Sequence, residues 1–423
     1  MKKITAKEFK KEVLQGGNVA LDFYSTECPP CDALAPKFES MSELYGEDIK
    51  FFKIFRQESR DLAESLKVNG SPTVLFYKNG ELVGEKLTGG IKRSDLIRNL
   101  NSLIPEERVE EIQKSIKPQV SEYDTLIIGG GPGGLTAGLY LCQAKINAVL
   151  VDTMLPGGQV STTHKVSNYP GFVDPQPGFM LAHYMSEQTK LCGTKYKVAV
   201  DVTNVDLVNK TIVVDAYETI KAKKIILATG ASPRYLDVPG EKELKGNGIS
   251  YCATCDAKYF HDKEVIVVGG GNSAIEEAEF ISKFAESVTI IHQFDHLQAN
   301  KEAQEKAFSN PRIKFIFDTE PRGFEKNGNR IRVSTENLKT GEKTIQEADG
   351  AFIFVGMKPN TDLIQDEIEK DQWGYIKTNE DMMTSIEGVY AVGDLRSKKY
   401  RQITTAVADG TIAAISATRE LDI

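Results

Sequence analysis

The sequence predicts an α/β protein with a small N-terminal domain followed by two larger domains, each a parallel sheet between two layers of helices. At 423 residues the chain is too long for a single hydrophobic core. Residues 124–144 and 264–280 each contain a short apolar strand, a glycine-rich loop and a helix, in that order. Residues 1–104 alternate strand and helix patterns without such a loop. These observations predict the three domains.

The composition and charge of the chain limit the classes of protein to which it can belong. The chain is 40% hydrophobic and 26% charged, and it has no apolar run near the roughly 20 residues that a membrane span needs. Residues 1–7 lead into an amphipathic pattern without the apolar core of a secretory signal, so we expect a cytoplasmic protein. The net charge of −8, without a basic cluster, argues against nucleic acid or an anionic membrane as partner.

The cysteines suggest redox chemistry. Six cysteines are too few for a disulfide scaffold, and four form two Cys-x-x-Cys pairs, Cys28 with Cys31 and Cys252 with Cys255. Thiols at this spacing can close a reducible disulfide. Zinc is the alternative, but the pairs lie far apart in unlike contexts, so we expect no metal site. Cys142 fits a buried structural role, and the sequence assigns no role to Cys192.

The first pair lies at the start of a predicted helix. An apolar strand, residues 19–24, ends shortly before Cys28, and Pro29 and Pro30 suit the first helical turn. A thiol at a helix N-terminus meets free backbone N–H groups and the positive end of the dipole, so its thiolate is favoured. We therefore expect Cys28 to be the nucleophile and Cys31 the resolving thiol.

Residues 1–104 resemble a thioredoxin domain. A proline, Pro72, precedes a predicted hairpin and is a candidate for a cis peptide bond. The resemblance implies that Pro72 lies beside the disulfide and that Asp22, six positions before Cys28, is the buried acid that handles protons.

Some positions depart from the thioredoxin pattern. Tyr24 and Glu27 stand where thioredoxins usually carry tryptophans, and Pro29 replaces the usual glycine. These changes indicate a specialised docking surface. A redox-inactive binding module is the alternative.

Residues 105–122 form a predicted linker. Val109, Ile112 and Ile116 recur at helical spacing, which predicts a short helix with one apolar face. A tether of this length typically gives a local concentration of order millimolar, which favours disulfide exchange within the chain. A linker that serves only for docking is the alternative.

The first glycine-rich loop has the full context of a Rossmann fingerprint. It comprises residues 129–134, where Gly129, Gly131 and Gly134 serve the turn, the approach of a pyrophosphate and the packing of the helix. The next strand ends at Asp152, an acid that can bind a ribose hydroxyl. We assign residues 123–240 and 358–423 to this dinucleotide-binding domain.

From about residue 123 to 423 the chain is similar to the low-molecular-weight thioredoxin reductases. The motifs that carry this resemblance are Gly157-Gly158-Gln159, Asn168-Tyr169-Pro170-Gly171, Ala228-Thr229-Gly230-Ala231, Val392-Gly393-Asp394-Leu395 and Arg401-Gln402. The resemblance implies a homodimer that binds FAD in the first fingerprint, with Asp394 on the ribitol and Gln402 near the isoalloxazine. Further expected FAD contacts are Pro132, Gly158, Gln159, Asn168, Ala228, Thr229, Gly230, Gly393 and Arg401.

The inserted domain, residues 241–357, carries a second fingerprint of the NAD(P) type. Its expected nucleotide contacts are Gly269, Gly271, Asn272, Ser273 and Ala274, together with His292 at the end of the next strand. NADPH-dependent relatives carry arginines after this histidine, but here Gln293, Phe294 and Gln298 take those places. A 2′-phosphate needs such guanidinium partners, so we expect NADH rather than NADPH, with Asp295 nearest the ribose. A non-nicotinamide donor such as ferredoxin is the alternative.

The resemblance also implies an electron path. A reduced nicotinamide reduces FAD, which reduces the Cys252–Cys255 disulfide, and Asp256 serves this pair as acid or base. We expect the Cys28–Cys31 disulfide to be the first acceptor and to pass electrons to client protein disulfides, such as those of peroxidases and reductases. Which of Cys252 and Cys255 meets the flavin, and whether transfer stays within one subunit, are open.

Rotation of the inserted domain is implied by the same resemblance, with Gly240 and Gly356 as expected hinges. Two other functions compete with this one. One is a peroxiredoxin-reducing flavoprotein of the alkyl hydroperoxide reductase type, although that relative has two thioredoxin-like folds before the flavoprotein. The other is a redox sensor or adaptor without catalysis.

Overall fold

The structure is a computed structural model that describes residues 1–163, 166, 168–251, 253–364 and 368–421, without the side chains of Thr254 and Cys255. It confirms the α/β class and the order of a small N-terminal α/β domain and two Rossmann-like domains. No helix in the described ranges is both long and apolar enough to span a bilayer. Helices and strands are numbered below in chain order.

The N-terminal domain is a five-stranded sheet covered by helices. Its strands are β1 (Lys2–Ile4), β2 (Val19–Tyr24), β3 (Lys50–Phe55), β4 (Thr73–Lys78) and β5 (Glu81–Thr88), and its helices are α1 (Pro29–Tyr45), α2 (Arg60–Ser65) and α3 (Arg93–Asn101). The strand order is β1-β3-β2-β4-β5, in which β1, β3 and β2 are parallel and β4 and β5 are antiparallel. Successive side chains of β2 pack into hydrophobic clusters on opposite faces of the sheet, Ala20 into one and Leu21 into the other. This alternation is the two-residue period of a strand.

The predicted linker helix is present as α4 (Glu106–Ser115). Ile112 is buried in the N-terminal domain's core and Val109 packs against the same cluster, which confirms the apolar face. Arg108 anchors the helix through an ion pair of 2.8 Å with Asp48. The next strand begins at Gln119, inside the segment predicted to be linker, so residues 116–118 alone connect α4 to the following sheet.

The first Rossmann-like domain is built on a seven-stranded sheet. Its strands are β6 (Gln119–Ile128), β7 (Ala148–Asp152), β8 (Lys195–Val198), β9 (Val202–Asp206), β10 (Thr211–Val214), β11 (Glu218–Leu227) and β22 (Val389–Ala391), and its helices are α5 (Pro132–Gln143), α6 (Gly178–Cys192) and α10 (Ile403–Glu420). The order is β8-β7-β6-β11-β10-β9, with β22 parallel to β11. The fingerprint loop therefore lies at the carboxyl end of β6, where open α/β sheets bind ligands.

The inserted domain has a parallel sheet and an antiparallel one. The parallel sheet has the order β13 (Ile249–Ser250), β20 (Gly350–Ile353), β14 (Glu264–Val268), β15 (Ser287–Ile291) and β16 (Ile313–Ile316). The antiparallel sheet contains β17 (Thr319–Asn327), β18 (Arg330–Asn337) and β19 (Lys343–Ala348). Its helices are α7 (Ala253–Asp256), α8 (Asn272–Ile281) and α9 (Lys301–Ser309).

Two chain crossings join these Rossmann-like domains. The short strands β12 (Ala231–Pro233) and β21 (Met357–Pro359) pair antiparallel at the crossings. Gly240 has φ +81°, and a Cβ there would lie 1.8 Å from the carbonyl oxygen of Phe324, so only glycine fits. The buried carboxylate of Glu241 accepts hydrogen bonds from two backbone N–H groups and from the Tyr251 hydroxyl, which is 2.6 Å away. The crossing geometry is thus held by specific contacts.

Candidate redox site

The first Cys-x-x-Cys pair is a disulfide at the start of α1. Cys28 and Cys31 are bonded, with 5.2 Å between their Cα atoms, and the Cys31 N–H donates to Cys28 Sγ at 3.3 Å. Cys31 is buried, whereas Cys28 is partly exposed. An incoming thiolate can therefore reach Cys28 Sγ more readily than Cys31 Sγ. The assignment of Cys28 as nucleophile and Cys31 as resolving thiol stays a prediction.

A groove lies beside this disulfide. The peptide bond between Ser71 and Pro72 is cis, as expected, and Cys28 Sγ is 3.5 Å from the carbonyl oxygen of Ser71. The groove has a volume of about 510 Å³ and is lined by Lys67, Asn69, Gly70, Ser71, Pro72, Thr73, Lys86, Thr88 and Gly89. It can hold an extended segment of a client next to the reactive sulfur.

Asp22 is a buried acid on β2. Its side chain is 2% exposed, and Oδ1 has no hydrogen-bond partner in the described part of the chain. Burial raises the pKa of Asp22 to about 7, against the opposing charge of Lys53, whose Nζ lies 3.9 Å from Oδ2. The carboxyl group can therefore hold or release a proton near neutral pH.

A large cavity lies at the carboxyl ends of β6, β7 and β11. Its volume is about 1190 Å³. Most of the residues expected to bind FAD line it: Gly129, Gly131, Pro132, Asp152, Gly158, Gln159, Ala228, Thr229, Gly230, Gly393, Asp394 and Gln402. The motifs are scattered over the sequence, and the fold brings them together here.

The glycines of the first loop have distinct roles. Gly129 has φ +110°, and a Cβ there would lie 2.3 Å from the carbonyl oxygen of Ala228. A Cβ on Gly134 would lie 2.0 Å from the Gly129 carbonyl oxygen, so this position allows helix and strand to pack. A Cβ on Gly131 would meet no atom within 4 Å. That open side is the space that a pyrophosphate requires.

Two carboxylates in the cavity fit FAD. Asp152 accepts hydrogen bonds from the N–H groups of Gly130, at 2.6 Å, and Met154, at 2.8 Å, which orient its carboxylate. Asp394 Oδ1 is buried without a hydrogen-bond partner among the described residues, and Lys398 Nζ lies 3.8 Å away. Burial raises the pKa of both acids. A ribitol hydroxyl would satisfy the unpaired oxygen of Asp394.

Three of the residues expected to bind FAD do not line the cavity. Gly134 packs beneath it, and Asn168 Nδ2 donates to Gln402 Oε1 at 3.0 Å, a contact that can orient the Gln402 side chain. The Arg401 guanidinium instead stacks 3.9 Å from the centre of the Tyr375 ring. Motif position alone does not distinguish a residue that lines the cavity from one that supports the wall.

Two glycine substitutions test these roles. Gly131→Ala is expected to leave the thermal unfolding temperature close to that of the parent and to weaken FAD binding about tenfold or more, because its methyl group enters the cavity. Gly134→Val is expected to lower the unfolding temperature as well, because its side chain meets backbone. Flavin fluorescence and calorimetry of both variants measure the two effects. Equal FAD affinity in Gly131→Ala and the parent would contradict this assignment.

The second fingerprint has the expected backbone geometry. Gly269 has φ +133°, and a Cβ on Gly271 would meet no atom within 4 Å. Ala274 is buried, and Ser273 is exposed at the start of α8. The side chain of Asn272 accepts a hydrogen bond of 2.7 Å from the backbone N–H of Asn300, which ties the loop to α9.

The residues after β15 define the charge near this fingerprint. His292 is buried against Gly270, and burial lowers the pKa of His292, so its ring is largely neutral at pH 7. Asp295 accepts from His296 at 2.7 Å and pairs with Lys339 at 3.2 Å. Lys339 is a cation that sequence analysis missed because it comes from the turn after β18. Its ammonium group is held by two carboxylates, since it also pairs with Asp318.

The second Cys-x-x-Cys pair falls largely outside the described residues. Cys252 is not described, and neither is the side chain of Cys255. Asp256 is described, and its Oδ2 accepts a hydrogen bond of 2.6 Å from Ser250 Oγ. The assignment of Cys252 and Cys255 as the flavin-linked disulfide, and of Asp256 as its acid or base, stays a prediction.

The two remaining cysteines are neighbours in space. Cys142 on α5 donates a hydrogen bond of 2.7 Å to the carbonyl oxygen of Cys192 at the end of α6. The neighbouring Cys142 side chain raises the pKa of Cys192 to about 11, which keeps this thiol neutral. Within the described ranges, no group of three or more His, Cys, Asp or Glu side chains could hold a metal ion.

The chain matches two family models in agreement with this architecture. Residues 1–102 match the thioredoxin family, and residues 123–410 match the pyridine nucleotide-disulphide oxidoreductase family. Its curated relatives include a thioredoxin reductase of Peptoclostridium litorale, which is 45% identical over 71% of this chain and 97% of its own. A thioredoxin reductase of Bacillus subtilis is 40% identical over 70% of this chain and 93% of its own.

Solved structures give the same result. A thioredoxin reductase of Lactococcus lactis has a TM-score of 0.67 and 39% identity, covering 71% of this chain and 100% of its own. A thioredoxin reductase of T. acidophilum has a TM-score of 0.66 and 31% identity, covering 71% of this chain and 99% of its own. The chain therefore belongs to the pyridine nucleotide-disulphide oxidoreductase family, as a thioredoxin reductase-like flavoprotein with a thioredoxin domain at its N-terminus.

Proposed function

We propose that the protein takes electrons from a reduced nicotinamide, NADH in preference to NADPH, and delivers them through FAD and Cys252/Cys255 to the fused Cys28–Cys31 disulfide. From there they pass to client protein disulfides. One observation carries this proposal: the thioredoxin reductase-like flavoprotein has a Cys28–Cys31 disulfide on its own chain, in which Cys28 is partly exposed and Cys31 is buried. FAD, when bound, supplies two electrons that it takes from the nicotinamide as hydride.

The step at the fused disulfide uses residues of this chain. A thiolate of the Cys252/Cys255 pair attacks Cys28 Sγ, the Cys28–Cys31 bond breaks, and Cys31 leaves as a thiolate. The second thiol of the donor pair then attacks the mixed disulfide and releases Cys28, so the Cys252/Cys255 dithiol is oxidised to a disulfide as the Cys28–Cys31 disulfide is reduced. Two electrons and two protons move to Cys28 and Cys31. Asp22, with a pKa near 7, can supply the proton that Cys31 takes up.

The environment of His292 supports NADH as donor. Its buried ring is neutral, and the nearby cation Lys339 already pairs with Asp295 and Asp318. A 2′-phosphate, with nearly two negative charges, would thus find no unpaired guanidinium or ammonium group among these residues of the described chain. NADPH would also face the carboxylate of Asp295, which repels it.

Anaerobic titration tests the choice of donor. We expect NADH to bleach the bound flavin at about tenfold lower concentration than NADPH. The double variant Gln293→Arg and Gln298→Arg should reverse part of that preference, because it supplies two guanidinium groups. A matched double variant, Gln293→Lys and Gln298→Lys, adds the same positive charge without the planar guanidinium group. It therefore separates the effect of charge from that of paired hydrogen bonds to the phosphate. Bleaching by reduced ferredoxin, with neither nicotinamide effective, would contradict the proposal.

The proposal includes movement of the inserted domain. Gly240 and Gly356 lie beside the crossing strands, with φ of +81° and +102°, and both conformations favour glycine. They are proposed as hinges that let nicotinamide and disulfide approach the flavin in turn. The active unit is proposed to be a homodimer, with peroxidases and reductases among its clients.

A further inference from the structure

The thioredoxin domain contacts the first Rossmann-like domain through Lys37, a half-buried lysine. Lys37 Nζ on α1 donates to the carbonyl oxygens of Val198, at 2.9 Å, and Ala199, at 2.6 Å, in the other domain. It also donates to Ile91 in its own domain at 3.0 Å. Its position between the domains shields Lys37 from water, and this burial lowers its pKa to about 8.

Other contacts surround Lys37. Lys92 Nζ pairs with Asp201 at 2.9 Å, and the buried Arg93 guanidinium lies 4.5 Å from the centre of the Tyr217 ring. The Lys92–Asp201 pair is partly exposed and is a single contact, whereas Lys37 donates to three carbonyl oxygens and so contributes more to the interface. Lys37 is therefore the central anchor of the docked arrangement.

Hydrogen bonds continue from this anchor to the dinucleotide fingerprint. The Ala199 N–H donates to the Met154 carbonyl oxygen at 3.0 Å, and the Met154 N–H donates to Asp152 Oδ1 at 2.8 Å. Asp152 Oδ2 in turn accepts from the Gly130 N–H at 2.6 Å. Lys37 is thus linked by consecutive hydrogen bonds to the carboxylate expected to bind the FAD ribose.

The backbone at Ala199 makes this link sensitive to docking. Ala199 is fully buried and has φ +51°, a conformation that residues with a Cβ rarely adopt. Its carbonyl group is held by Lys37 and its N–H by Met154. Loss of Lys37 would remove one of the contacts that keep this strained segment in place.

The thioredoxin domain also forms part of the cavity wall. Pro29 and Pro30, between the two cysteines, line the cavity together with Thr88 and Gly90. A Cβ on Gly90 would lie 3.4 Å from Leu155 Cγ, so the two domains are in contact at this end. Because Asp152 marks the ribose, this is the adenosine end of the site.

We propose that docking of the thioredoxin domain and binding of FAD are coupled: FAD holds the domain in the docked position through residues 152–154 and 198–201, and docking strengthens FAD binding. This inference rests on the proposed function, in which FAD occupies the cavity. The coupling is reciprocal, since each binding event changes the other by the same factor. The relay domain therefore stays in place on flavin-loaded protein and is released when the flavin is lost.

Full-length Lys37→Met tests the coupling, because methionine keeps the length of the stem and removes the three donated hydrogen bonds. The control is Lys50→Met, an exposed lysine of β3 in the same domain. FAD affinity is measured by flavin fluorescence, and hydrogen–deuterium exchange is followed in residues 86–92 and 198–202 with and without FAD. Insulin reduction driven by dithiothreitol checks that the thioredoxin domain of each variant is folded.

We expect Lys37→Met to bind FAD about tenfold more weakly than the parent and Lys50→Met. FAD should slow exchange in both segments of the parent and have little effect in Lys37→Met. If Lys37→Met misfolds, Lys92→Ala serves in its place, because it removes a second contact of the same interface. This variant should also bind FAD more weakly than the parent. The coupling would be overturned if the parent and the folded variants bound FAD with equal affinity. It would also be overturned if hydrogen–deuterium exchange in residues 86–92 of the parent were the same with and without FAD. A parent that binds no FAD would instead overturn the proposed function.

Discussion

Cys28→Ser is expected to abolish reduction of client protein disulfides while flavin reduction by the nicotinamide continues at the parental rate. Cys28 is the partly exposed residue of the fused disulfide, and serine offers neither a sulfur to attack nor a thiolate for exchange. Removing the nucleophile of a covalent relay typically costs about 10³-fold or more. Insulin reduction monitors the client step, and stopped-flow bleaching of the flavin monitors the donor step.

Two further variants locate the block. Cys31→Ser keeps the attacking thiol of Cys28 but not the resolving one, so mixed disulfides with clients should accumulate on Cys28. Cys142→Ser is the matched cysteine control, since Cys142 only bonds to Cys192 in the described structure, and it should reduce insulin at the parental rate. Insulin reduction that survives Cys28→Ser unchanged would mean that Cys252 and Cys255 act on clients directly.

The local features that sequence analysis predicted well share a simple physical origin. The sequence of residues 124–144 is enough to predict a strand, a tight loop and a helix, because only glycine permits the turn at Gly129 and the packing at Gly134. The helix of residues 106–115 follows from the spacing of Val109 and Ile112 on one face. The cis peptide bond before Pro72 follows from proline chemistry and the resemblance.

Features that depend on tertiary contacts were not predictable in this way. The start of β6, residues 119–122, is largely polar and mostly exposed, and the pairing of Gln119 with Glu218 on β11 defines it as strand. Cys142 and Cys192 meet because α5 packs on α6, although they lie 50 residues apart. The contacts of Lys37 with Val198 and Ala199 span even more of the chain. A lone lysine on a helix carries no sequence signal for such an interface.

The buried carboxyl group of Asp22 is expected to make the thioredoxin domain less stable as pH rises. Its pKa is about 7 in the folded domain, against an ordinary value of 3.8, so the folded state holds a proton that the unfolded state releases. The stability that this proton provides is present below pH 4 and is lost as pH rises to about 7. The full loss is at most about 4 kcal/mol, since one pKa unit corresponds to about 1.36 kcal/mol.

Asp22→Asn removes the titration and keeps the shape of the side chain. At pH 8 the variant should gain stability over the parent, and the gain should exceed that at pH 5 by about 3 kcal/mol. Pulse proteolysis in urea, read by mass spectrometry of peptides from β2 and β4, reports this domain within the full chain. A gain that is the same at both pH values would show that Asp22 is ionised throughout.

The same substitution separates stability from function. An amide cannot supply a proton to Cys31, so Asp22→Asn should slow insulin reduction about 10²-fold while making the domain more stable. A merely structural role predicts the opposite, because a more stable domain with both thiols in place would be at least as active. The rate of the parent should also fall above pH 7, as Asp22 loses its proton, and the rate of Asp22→Asn should not follow that fall. A buried acid that costs stability at neutral pH is thus explained by its use as a proton donor.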